Sequence, residues 1–80
     1  MWQEKNNKLY ASFDFKNFTE AFAFMADVAV QVERLDHHPE WRNVWNKVDI
    51  TLCTHSAGNI ITQKDHDLAA VIDNVFTKYR

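Results

Sequence analysis

From Lys47 to His55 the chain alternates polar and apolar side chains almost without a break: Val48, Ile50 and Leu52 fall on one side, Lys47, Asp49, Thr51, Cys53 and His55 on the other. Successive side chains of a strand point to opposite faces, so the pattern dictates a strand with one face in a core and one in water. A one-sided sheet needs a cover for its apolar face. The rest of the chain must supply it.

Two segments carry helical signals. Asn17-Phe18-Thr19-Glu20 sets a cap residue three positions before a glutamate that can reach back to it, so a helix starts there. Phe18, Phe22, Met25, Val28 or Ala29, Val32 and Leu35 then recur at helical spacing and form the expected buried stripe. Beside that stripe Phe24, Ala26 and Val30 add more apolar surface than one sheet face needs, which points to a protein contact. Pro39 drives His38 out of the helical region, so this helix ends near Leu35–His37. Thr62-Gln63-Lys64-Asp65 repeats the capping pattern, and the helix after it presents Leu68, Val71, Ile72, Val75, Phe76 and Tyr79.

Ahead of the first helix, Tyr10, Phe13 and Phe15 favour extended structure, and Asn6-Asn7 tolerate left-handed turns. A hairpin joining Trp2–Lys5 to Lys8–Phe15 is therefore expected. Val44 and Trp45 belong either to a short partner strand or to the turn that enters the alternating strand, and Ser56-Ala57-Gly58-Asn59 reads as a loop. The order is β-β-α-β-β-α, an α+β fold with a four-stranded antiparallel sheet and helices packed on one face. Residues 1–80 read as a single domain, without linker, repeat or low-complexity stretch. A domain this short buries only about 60–65% of the surface of its unfolded chain, so self-association would help it.

Composition excludes several functions. Net charge is -2 and the nine Lys and Arg are scattered, which is not the footprint of a nucleic-acid binder. Cys53 is the single cysteine, so no intramolecular disulfide forms. There is no apolar run of the roughly 18 residues a membrane span requires, and MWQEKNNK has no signal-peptide core. A cytoplasmic protein away from membranes is expected.

Chemistry concentrates in Asp36-His37-His38-Pro39-Glu40-Trp41, at the end of the first helix. A histidine in a last turn is favoured by the helix dipole alone. Two in succession before a rigid proline invite more. Metal binding would need three or four ligands to converge, and the available helpers, Glu33, His55, Cys53 and His66, stand at no recognised ligand spacing. Cys53 lacks a helix N-terminus or flanking loop to activate it as a nucleophile. Acid–base chemistry remains: if the helix end meets the strand end, His37, His38 and His55 border one pocket. Imidazole with its ordinary pKa near 6.5 both gives and takes protons near neutral pH.

Glu33, His37-His38-Pro39, Trp45, His55 and the downstream Asp65, in this spacing, resemble the signature of the pterin-4a-carbinolamine dehydratases. LDHHPEWRNVWNKVDITLCTH, the preceding AFAFM and the TQKDHDLA of the last helix extend the likeness over nearly the whole chain. The resemblance implies an antiparallel sheet with helices on one side. It further implies a hydro-lyase that removes water from 4a-hydroxytetrahydropterin to give quinonoid dihydropterin and so supports tetrahydropterin recycling.

The same resemblance implies no metal or organic cofactor, a pterin as the small-molecule partner, and a homodimer or homotetramer. It marks His37, His38 and His55 as functional histidines, with Asp36 and Asp65 as acidic positions at the site. On the residues alone, Asp65 sits where a capping box already explains it, and Asp36 either tunes a neighbouring histidine or caps the turn. Trp41 either stacks on the pterin or belongs to the core. The rival function implied by the family is a non-catalytic interaction module, a dimerisation cofactor of the transcriptional coactivator type working through a helix surface.

Overall fold

The computed structural model describes all 80 residues. Strand β1 (Gln3–Lys5) turns into β2 (Lys8–Asp14), helix α1 (Phe18–Leu35) follows, β3 (Glu40–Val44) leads into β4 (Lys47–Leu52), and α2 (Gln63–Phe76) closes the chain. The sheet order is β1-β2-β4-β3 with every neighbour antiparallel. The α+β order β-β-α-β-β-α is the one expected. Asn6 and Asn7 both take positive φ, 54° and 62°, the backbone a two-residue hairpin needs to match strand twist. Val44 ends β3, and Trp45 belongs to the turn, also at positive φ.

One core holds the layers together. Register pairs Leu9 with Leu52, Ala11 with Ile50 and Phe13 with Val48, so the buried residues of β2 and β4 share a face. Ala21, Phe24, Val28 and Val32 of α1 and Leu68, Ala69, Ile72 and Val75 of α2 complete the same cluster. Both helices therefore lie on one side of the sheet. The opposite face is polar, with Ser12 Oγ donating to Asp49 Oδ1 at 2.6 Å.

The buried stripe of α1 differs from the expected one. Phe18, Phe22 and Leu35 are 48%, 57% and 43% exposed, whereas Phe24 is fully buried. Val28 and Val32 serve either stripe; apart from Leu35 at its end, the difference lies in the first half of the helix. There the small Ala21 lets the helix approach the sheet, and Phe24 enters an aromatic nest with ring centroids 5.1 Å from Phe13, 4.9 Å from Phe15 and 5.9 Å from Phe76. Helical spacing pointed to Phe18 and Phe22, while tertiary shape selected Ala21 and Phe24. Asn17 Oδ1 does cap the helix, accepting from the Glu20 N–H at 2.9 Å, but the Glu20 carboxylate accepts from the N–H of Lys16 and not from the cap residue.

A second difference concerns His55. The strand ends at Leu52, and His55 opens a short 3-10 turn, His55–Ala57. Thr54 pairs with Ile60 across this loop, and Gly58, at φ 89°, accepts the left-handed backbone that closes the turn.

Candidate active site

Local backbone chemistry aims the histidines. Asp36 closes α1 in the left-handed region, φ 50°, a conformation Asp tolerates better than most side chains. Its N–H donates to the Glu33 carbonyl, and the N–H of His37 donates to the Val32 carbonyl. These nested bonds form a Schellman turn, which reverses the chain direction at once. His37 follows that reversal and tucks inward with its side chain 12% exposed, while His38, held extended by Pro39, stays in solvent.

At the facing strand end, Thr54 keeps the phase of Val48, Ile50 and Leu52 and is buried. The exit of α1, the end of β4 and the first turn of α2 enclose a cavity of about 370 Å³, within the size range of small-molecule sites. His37, His38, His55 and Asp36 all line it, as do Cys53 and Lys64. The helix end and the strand end do meet.

Asp65 does not line the cavity; it lies fully buried behind it. One carboxylate oxygen, Oδ1, is 2.6 Å from His37 Nε2. The other accepts from the Thr54 hydroxyl at 2.8 Å and from the Thr62 N–H at 2.9 Å. Burial pushes the Asp65 pKa up, but hydrogen bonds from His37, the Thr62 amide and the Thr54 hydroxyl outweigh it and hold the carboxyl below its ordinary 3.8. The capping box read at Thr62 and Asp65 is present. The same carboxylate caps α2 and holds His37.

Trp41 is half-buried, packs against the core, and is not among the residues that line the cavity. His38 Nε2 meets Glu33 Oε2 at 2.6 Å, an exposed pair of the kind that contributes little stability. No group of three His, Cys, Asp or Glu side chains is arranged to hold a metal ion. His66 is exposed in the first turn of α2, and no helix is long and apolar enough to cross a membrane.

Thr54 and Lys64 also line the cavity, and neither is singled out by the sequence. Thr54 carried a signal: it is polar yet falls in the buried phase of the strand, and a buried hydroxyl demands partners. Lys64 carried none beyond adjacency to Asp65.

Residues 1–75 match the family model described as pterin 4 alpha carbinolamine dehydratase. A protein of Sinorhizobium fredii (strain NBRC 101917 / NGR234), provisionally named pterin-4-alpha-carbinolamine dehydratase, is 50% identical over 70 residues. That match covers 88% of this chain and 66% of the relative, so the chain spans slightly less than two thirds of the relative's length. A crystal structure from Brucella melitensis, described as a transcriptional coactivator/pterin dehydratase, is 45% identical with a TM-score of 0.87, over 92% of this chain and 80% of that one. A pterin dehydratase-like protein identified as a RuBisCO assembly factor in the alpha-carboxysome is 25% identical with a TM-score of 0.75, over 94% of this chain and 86% of that one.

Proposed function

The chain belongs to the pterin 4 alpha carbinolamine dehydratase family, and on that premise we propose that it dehydrates 4a-hydroxytetrahydropterin to quinonoid dihydropterin in the cytoplasm, supporting tetrahydropterin recycling. The observation that carries the reading is that His37 and His55, from separate elements, line one cavity. In the substrate, the lone pair of the ring nitrogen beside the hydroxylated carbon forms a C=N bond as the C–O bond breaks. The departing oxygen takes a proton and leaves as water, and the nitrogen gives up its N–H proton. An acid and a base are all the reaction asks of the protein. Assigning that exchange to His37 and His55, with His38 and Asp36 holding the pterin, matches the scale of about 10²–10⁴-fold acceleration that positioned acids and bases provide.

The test follows dehydration of freshly generated 4a-hydroxytetrahydropterin by its ultraviolet spectrum, with His37→Ala and His55→Ala beside the unmodified protein after folding is checked. A rate above the spontaneous one that drops in both variants supports the reading. A folded protein with no acceleration sinks it.

A second reading, a homo-oligomeric interaction module, is favoured by the stacked pair Phe18 and Phe22, exposed on α1 with centroids 5.8 Å apart. It moves the apolar excess of this helix from Phe24, which is core, to Phe18 and Phe22 beside Val30. Under that reading, changing His37 or His55 leaves function intact and Phe22→Lys abolishes it.

A further inference from the structure

We propose that Asp65 is a positioning residue that locks His37 as its Nε2–H tautomer, so that Nδ1 is the His37 atom that exchanges a proton with substrate. The inference rests on the dehydratase reading for its substrate, but the lock itself is a property of the folded chain.

An ionised carboxylate only accepts hydrogen bonds. With Asp65 Oδ1 2.6 Å from His37 Nε2, the hydrogen between them belongs to the ring nitrogen. Because Asp65 is fully buried, no water is at hand to replace that contact.

The second carboxylate oxygen is fixed just as firmly. The Thr54 hydroxyl has one hydrogen and donates it to Asp65 Oδ2, so at the 2.6 Å contact between the two threonine hydroxyls Thr62 must be the donor. The Thr62 oxygen in turn accepts from the Lys64 N–H. A one-way chain of donors therefore runs from the first turn of α2 into Asp65, and the carboxylate has no freedom to rotate away from His37.

The remaining nitrogen is then the reactive one. His37 Nδ1 has no protein partner, and no buried side-chain nitrogen or oxygen in this half-buried group lacks one, so Nδ1 is reached by solvent. His37 lines the cavity, and Nε2 faces the buried acid behind it. A neutral ring thus offers the Nδ1 lone pair as a base. A protonated ring offers Nδ1–H as an acid while the adjacent carboxylate balances its charge.

Long-range ¹H–¹⁵N spectra of the full chain read the tautomer directly, without substrate. The expected wild-type result is a neutral His37 with its hydrogen on Nε2 and a bare Nδ1. In Asp65→Asn the preference for Nε2–H relaxes, and kcat falls by on the order of 10²-fold while KM stays within about threefold.

Wild-type His37 in the Nδ1–H form overturns the proposal even if Asp65→Asn fails to fold. A folded Asp65→Asn with unchanged tautomer and kcat overturns it too. A wild-type protein with the Asp65-dependent lock but no dehydratase activity retains the lock and removes the dehydratase reading, so the two failures are distinct.

Discussion

Tyr79 Oη donates a 2.5 Å hydrogen bond to Asp27 Oδ2, joining the last turn of the chain to the middle of α1 across 52 positions. Lys78 approaches the same oxygen at 3.4 Å. The phenol is raised to about 12, first by this hydrogen bond and then by burial and the Asp27 charge. Asp27 is held low chiefly by the same bond. The contact adds a polar clasp to the packing of the Tyr79 ring on Phe15 and Phe24.

Tyr79→Phe should keep that packing and lose the bond. Hydrogen bonds to charged groups contribute about 1.5–3 kcal/mol, and the partial exposure of Asp27 reduces this to about 1 kcal/mol. Urea denaturation of the two proteins measures the difference. Equal midpoints would show the clasp to be energetically idle.

The same contact fixes an alkaline transition. Its folded pKa lies above the ordinary 10.0, so the contribution of Tyr79 to stability is complete below pH 10 and is lost as pH rises from there to about 12. In Tyr10→Phe, which leaves Tyr79 as the sole tyrosine, tyrosinate absorbance should have its midpoint near 12. A midpoint at 10 in the folded protein would contradict the geometry.

Much of this fold is legible in the sequence because its signals are local. Asn6-Asn7 specifies the hairpin, Pro39 bars the first helix from continuing through His38, Thr62 with Asp65 starts the last, and Val48, Ile50 and Leu52 give the strand its buried face. What was not legible depends on contacts distant along the chain. Nothing near Ala21 says that a methyl group outranks the Phe22 ring; the answer lies in β2 and α2, where Phe13, Phe15 and Phe76 receive Phe24. The site divides the same way. His37, His38 and His55 stand out by residue type, but the link from Asp65 to His37 spans 28 positions and needs the fold to be seen.

The α1 correction is directly measurable. Phe24→Ala removes a ring from a fully buried aromatic nest and should cost about 3–5 kcal/mol, whereas Phe22→Ala trims an exposed side chain and should change stability by about 0.5 kcal/mol or less. Thermal unfolding distinguishes them. If the two variants exchanged ranks, the helix would be rotated from the orientation described.

Asp65 makes the acid limb of stability predictable. Its folded pKa is depressed, so its contribution is present above 3.8 and disappears as pH falls through the lower folded value. Asp65→Asn is close in shape but cannot carry the charge, and at pH 7 it should be less stable by about 2 kcal/mol, the scale of charged hydrogen bonds in a buried site. Once the native carboxyl is protonated, the two proteins present similar neutral groups to Thr54 and Thr62. Stability measured by denaturant from pH 7 downward should therefore converge below pH 3.8. A gap that stayed constant over that range would mean that size and shape at this position, rather than the carboxylate charge, hold the helix start and His37 in place.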